Sequence, residues 1–234
     1  MSDFSFVWSG EPGIDLLSQP AVVVRAYLES VSAASAAGSN DYLYPGFQSA
    51  VAKTVSKDPS NYSMDLWPEL HYPWTQPTVG TSREHILRVT EDALRTTAVI
   101  CHFGWGVARK GENGFYAASA QWDGAMTGVG AFRLSLKAPA SSATRGLRPQ
   151  QGPSPAALTD TFGGWRVVAK LSESSPSDAV GPGTQWPEFA EDLAACAAKA
   201  PESEERRQFL TTGEHPRSDF PTLPAYPGWP AESQ

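Results

Sequence analysis

Four histidines, two cysteines and a scatter of acidic and tyrosyl side chains are the groups in this 234-residue chain that could move a proton, attack a carbon or hold a metal. Their spacing unites them in no recognised catalytic or metal-binding set. Asp123 could act as a general base, but Gly124 follows it, and Asp-Gly is first a turn former. His102 stands between Cys101 and Phe103, and strand alternation sets those two on the face opposite to it, which suits a hydrogen-bonded core or surface histidine. His71 lies among prolines and reads as a loop residue. Gly104-Trp105-Gly106 lacks the third glycine and the following helix of a dinucleotide fingerprint. The chain holds no Gly-x-Ser-x-Gly elbow, no His-Glu-x-x-His and no phosphate-binding loop. Zinc spacing is absent, so neither a metal nor any other cofactor is expected. Asn61-Tyr62-Ser63 matches the glycosylation sequon, a motif short enough to arise by chance.

The two cysteines leave two readings open. Cys101 falls in a predicted strand and Cys196 in a predicted helix. They are either buried thiols acting as small hydrophobes, or a single disulfide tying the C-terminal helix to the sheet in an oxidising compartment. An even count with widely separated partners suits a staple.

Composition narrows the partners. The hydrophobic fraction of 41% allows a real core, while 18% charged residues, 20 Pro and 20 Gly point to strands and structured loops. The net charge of -7, with no Lys/Arg block, argues against nucleic acid. No stretch reaches the roughly 18–20 apolar residues of a membrane span. Met1-Ser2-Asp3-Phe4 has neither the basic nor the apolar part of a signal peptide, which read literally means a cytoplasmic protein. The alternative is a chain that starts after a removed export signal.

The elements that must position these residues follow from periodicity. Residues 1–19 read as an extended lead-in. Pro20 suits a first helical turn, and Val24, Tyr27, Leu28 and Val31 form one apolar stripe of a helix that Gly38 ends. A shorter helix follows from about Gly46, with Phe47, Ala50, Val51 and Thr54 on one face. Lys57 to Thr81 is irregular, its prolines interleaved with Trp67, Tyr72 and Trp74. His85–Thr90 and Thr96–Phe103 read as strands, the first with a helix starting at Thr81 or Ser82 as its alternative. The Gly111–Gly114 turn joins a strand ending near Lys110 to Phe115–Ala120. Val129–Leu136 and Gly164–Leu171 are further strands, separated by a Pro139–Pro155 loop. After a linker comes a helix from about Trp186 to Lys199, with Phe189, Leu193 and Cys196 at helical spacing. The tail interleaves Phe220, Tyr226 and Trp229 with five prolines. Either it wraps its own domain, or it docks onto another protein or a second copy of the chain.

This is an α+β chain: a curved antiparallel sheet with N-terminal helices over residues 20–172, then a helix and an extended Pro/aromatic tail over 173–234. The segments Ala21–Leu28 and Gly163–Val168 (Gly-Gly-Trp-Arg-Val-Val) resemble the opening helix and closing strand of the cone-shaped nuclear transport factor two superfamily, which includes ketosteroid isomerases and polyketide cyclases. The residue usage, poor in Lys and rich in Ala, Pro and Trp, resembles envelope proteins of actinobacteria. The resemblance implies a pocket between the concave sheet face and the opening helix. Its candidate residues are His71, Tyr72, His102, Tyr116 and Asp123, with Trp74, Trp105 and Trp122 as walls. The leading expectation is a non-enzymatic binding or accessory protein of the cell envelope, its partner a protein or a small apolar ligand. The rival is an isomerase- or cyclase-type enzyme using Asp123, His102 or Tyr116.

Overall fold

Period-two alternation governs the middle of the chain, and it sorts side chains onto the two faces of one curled sheet. The computed structural model describes residues 3–53, 66–118, 124–140, 148–172 and 186–231. The glycosylation sequon, Trp122, Asp123, the middle of the Pro139–Pro155 loop and the 173–185 linker lie outside the described residues.

The architecture is α+β. Strands β1 (Asp3–Gly10), β2 (Thr78–Glu91), β3 (Thr96–Phe103), β4 (Val107–Lys110), β5 (Tyr116–Ala117), β6 (Val129–Lys137) and β7 (Arg166–Ser172) form a single sheet. Its order is β5-β4-β2-β3-β6-β7, with antiparallel neighbours throughout, and β1 adds to β2 in parallel. Helices α1 (Ala21–Ala37) and α2 (Phe47–Ala50) precede β2, while α3 (Phe189–Ala198) and α4 (Glu204–Thr211) follow β7.

Two differences from the sequence expectations have a clear physical origin. The extended lead-in contains β1, whose Phe4, Phe6 and Trp8 alternate with Ser5, Val7 and Ser9 and pair in register with Gly80, Ser82 and Glu84. The helix considered from Thr81 or Ser82 is instead part of β2, a continuous 14-residue strand. Long-range pairing on both edges decides that segment, and local propensity does not.

The inner core joins Tyr27, Phe47, Ile86, Ile100, Leu134, Val167 and Trp229. The outer core joins Val99, Cys101, Phe103, Ala131, Leu193, Cys196 and Phe220. A β-bulge between Ile86 and Arg88 turns two successive β2 residues outward. Leu87 packs on the outer core, and Arg88 grips the buried Asp192 of α3 through its two terminal guanidinium nitrogens, one at 2.7 Å. Trp186 Nε1 donates to the same carboxylate at 2.8 Å. Cys101 and Cys196, both fully buried, are joined in a disulfide between β3 and α3 with a Cα–Cα distance of 5.2 Å.

The stripe expected on α1 faces the inner core, yet α1 is buried on its other side as well. Arg25 and Glu29, one turn apart, are 0% and 2% exposed. Trp8 Nε1 donates to Glu29 Oε1 at 2.7 Å, while Trp229 Nε1 and Tyr44 Oη donate to Oε2 at 2.6 and 3.0 Å. Arg25 donates to the carbonyls of Leu16, Gln150 and Gly228 and lies 4.3 Å from the Trp229 ring centroid. Tyr226 exchanges backbone hydrogen bonds with Phe6 and Trp8, and Trp229 does so with Ser154. Gly228 has φ +65°, and a Cβ there would stand 2.1 Å from the Gly152 carbonyl oxygen, so only glycine fits this crossing.

Burial pushes the Glu29 carboxyl above its ordinary range, against the opposing pull of Arg25 and the three donors. The folded state therefore binds this proton more tightly than the unfolded chain. The stability carried by Glu29 is complete below about pH 4.3 and declines as pH climbs through the raised value. Glu29→Gln sets an amide N–H₂ against one indole N–H. It is expected to lower stability by about 3 kcal/mol in urea titrations, with the wild-type advantage narrowing as pH is raised. Replacing both cysteines with Ala is expected to cost about 2–4 kcal/mol, read as a lower urea midpoint. A thiol-reactive chromogen should find no free thiol in the protein unfolded in urea without reductant; two titratable thiols there would contradict the bond.

Candidate functional site

Three residues of β2 point into the concave side of the sheet in succession, Ser82, Glu84 and Ile86. Ile86 enters the inner core, and the two polar residues stop short of it. The register sets Glu84 directly opposite His102 of β3, and His102 opposite Gly130 of β6. Around them lies a cavity of about 780 Å³, within the size range of small-molecule sites. Leu28, Val31 and Ser32 of α1 form one wall at helical spacing, and Phe4 and Phe6 of β1 form another. Phe132, Lys170 and Ser172 close the β6–β7 side, while Trp74, Gln76 and Arg109 stand at the β4 side.

The strand break beside the cavity depends on glycine. Gly104–Gly106 makes a single 3-10 turn that carries the chain from β3 to β4 along the same edge of β2. Gly80 of β2 has φ +110°, and a Cβ on it would lie 2.0 Å from the Gly106 carbonyl oxygen.

Apolar walls are interspersed with polar and charged side chains, Arg109, Lys170 and Glu214 among them, and two of the polar groups meet on the Glu84 carboxylate. Glu84 is 3% exposed. Its Oε1 accepts from Ser82 Oγ at 2.9 Å and lies 2.8 Å from His102 Nδ1. Its Oε2 is buried with no hydrogen-bond partner among the described residues. The aromatic side is organised by ring contacts. Phe4 meets Phe6 edge-on at 5.7 Å and Trp74 at 5.4 Å, and His102 lies 5.8 Å from Phe132. Two cations sit over the rings, Lys170 at 5.2 Å from Phe132 and Arg109 at 5.6 Å from Trp74.

Of the eight candidate residues, the structure brings His102 and Trp74 to the cavity. His71, its side chain 87% exposed, pairs with Glu69 at the surface, and Tyr72 is 80% exposed. Trp105 turns the other way, fully buried in the outer core, where its Nε1 donates to Glu202 at 2.9 Å. Tyr116 packs against that same outer core and shares two backbone hydrogen bonds with His215. Trp122 and Asp123 are outside the described residues. Cys101 and Phe103 do occupy the face opposite His102, as alternation requires.

Glu84, Phe4 and Phe6 went unread in the sequence. A signal existed for each: Phe4, Phe6 and Trp8 alternate, and Glu84 shares one strand face with Ser82 and Ile86. Among the described residues no group of three or more His, Cys, Asp or Glu could hold a metal ion, and no helix is long and apolar enough to cross a membrane. Comparison with family models, with curated proteins and with solved structures finds no match to this chain.

His102→Ala would leave the buried Glu84 carboxylate with Ser82 as its hydrogen-bond partner among the described residues. The expected loss is about 1–3 kcal/mol, measured by urea unfolding at neutral pH.

Proposed function

We propose that this chain is a non-enzymatic binding protein of the cell envelope that holds a small, mainly apolar molecule between its curled sheet and its first helix. The observation that carries the reading is the cavity of about 780 Å³, lined by Phe4, Phe6, Leu28, Val31 and Phe132 together with polar groups that include the Glu84, His102 and Ser82 cluster. Convergence of a few polar groups in an apolar concavity is the usual form of a small-molecule site. The placement of α1 on the inner side of a curled sheet supports the cone-like reading and the resemblance to the nuclear transport factor two superfamily. The Cys101–Cys196 bond supports an oxidising compartment. Burial of Phe220 and Trp229 supports a tail that wraps its own domain.

A second reading, an isomerase- or cyclase-type enzyme, draws on one observation: a candidate histidine, His102, meets a buried carboxylate inside the cavity. Proton transfer by such a pair would make turnover depend on both residues, and a steroid or polyketide-like substrate consumed by the wild type and not by His102→Ala would favour it.

The binding reading is tested with N-phenyl-1-naphthylamine, an apolar probe that brightens when it leaves water. The wild type is expected to bind it saturably. Val31→Trp, which places an indole in the cavity from α1, is expected to weaken binding by about tenfold or more, equivalent to about 1.4 kcal/mol. Equal binding by the two proteins, with unchanged thermal melts, would place the probe elsewhere and overturn the assignment.

A further inference from the structure

Away from the cavity, the parallel pairing of β1 with β2 sets Ser9 beside His85. Both side chains lie on the outer face of the sheet. His85 is the cross-strand partner of Cys101 in the outer core, and Ser9 alternates with the inward Trp8. Two residues beyond Ser9, Glu11 is held at the end of the strand by its backbone N–H on the Ile86 carbonyl, at 3.0 Å. The three side chains form a line of contacts. Ser9 Oγ lies 2.9 Å from His85 Nδ1, and His85 Nε2 lies 3.0 Å from Glu11 Oε1. Lys199, just past the end of α3, pairs with that same carboxylate. Ser9 is exposed, while His85 behind it is buried.

We infer that Ser9 is an acyl-acceptor site, a surface nucleophile with His85 as its base, and that its reagent is an activated carboxylic ester. The site goes beyond the binding reading and uses none of the cavity's side chains. A free serine hydroxyl is a weak nucleophile; a base within hydrogen-bond reach, itself oriented by a third group, is what activates it. Glu11 is the orienting group. Lys199 and His85 hold its carboxyl below the ordinary range, so it stands as a carboxylate, an acceptor only. The ring nitrogen that faces it, Nε2, must then carry the proton. In the neutral ring this leaves the lone pair of Nδ1 directed at Ser9 Oγ, ready to accept its hydrogen. The other acceptor near that hydroxyl, the Glu84 carbonyl oxygen, stands farther off at 3.4 Å. In the reaction Oγ attacks the acyl carbon while its proton passes to Nδ1. The bond from that carbon to the leaving oxygen breaks, the electron pair departs with that oxygen, and Nδ1 gives it the proton. The products are an acyl-serine and a free hydroxy compound. The site supplies a nucleophile and a base, so the ester must bring its own good leaving group, as an aryl ester does.

The test exposes the full chain to p-nitrophenyl acetate and follows acetyl groups on its peptides by mass spectrometry. Ser49, exposed and donating to the Gly46 carbonyl, is the internal reference. Ser9 is expected to be acetylated about 10²-fold faster than Ser49, the low end of what a positioned base contributes. His85→Ala is expected to bring Ser9 down to the Ser49 rate and to leave Ser49 unchanged. Glu11 is a positioning residue, so Glu11→Gln is read by the ¹⁵N shifts of the His85 ring as well as by rate. The wild-type ring is expected to carry its proton on Nε2. The Gln amide can donate to Nε2 and move that proton to Nδ1, so the two shifts should exchange and Ser9 acetylation slow about tenfold. Equal acetylation of Ser9 and Ser49 in the wild type overturns the inference, whether or not the variants fold. A wild-type ring protonated on Nδ1, or acetyl found on Lys199 in place of Ser9, overturns it as well. None of these outcomes bears on the cavity, whose probe binding is a separate measurement.

Discussion

One buried carboxylate holds the inner half of this protein together. Glu29 has no access to water that could solvate its charge, so every stabilising contact must come from the chain. Those contacts come from far apart in sequence: Trp8 from β1, Tyr44 from the turn before α2, and Trp229 from the last described stretch. Arg25, one helical turn away, supplies the compensating charge and ties down three backbone carbonyls of its own. A helix with an apolar stripe needs only one neighbour. Here the polar side of α1 is also buried, and β1 and the terminal segment must both be in place for it to be satisfied. The wall of the cavity formed by Phe4 and Phe6 is thereby linked to the far end of the chain through the backbone pairing of Tyr226 with β1.

The sheet applies the same logic with two faces. Alternation along β3 sends Cys101 outward to α3 and His102 inward to Glu84, from adjacent positions. The outer layer is secured by the disulfide, by Arg88 on Asp192 and by packing of Leu193. The inner face is left to α1 and the cavity. A bulge in β2 after Ile86 separates the two roles within one strand. Before it Ser82 and Glu84 serve the cavity; at it Arg88 reaches the outer helix.

Much of the sheet was legible because its signal is local. Thr96–Phe103, Val129–Leu136 and the strand through Arg166 carry β-branched or alternating residues bounded by turn formers, and the structure places strands there. The helix from Trp186 was equally plain, since Pro187, the acidic first turn and the spacing of Phe189, Leu193 and Cys196 all agree. The site was less so. His102 and Trp74 reached it, but Trp105 and Tyr116 went to the outer core, because a residue type that suits a pocket wall suits a hydrophobic core equally well. Glu84 was passed over since a lone glutamate in a strand normally faces solvent, and its burial beside His102 is a product of tertiary packing.

The amino-acid pattern alone therefore determined the α+β class, most element positions and the opposition of Cys101 to His102, all consequences of spacing along a single element. Tertiary structure decided which elements meet. It joined Cys101 to Cys196, made a strand of the first residues by pairing them with β2, and converted Arg25 and Glu29 from the polar side of a helix into the centre of a core. It also set Glu84 against His102 at the floor of a cavity. These are pairings between residues 18 to 200 positions apart, and their free energy comes from shared burial, which no single stretch of sequence contains.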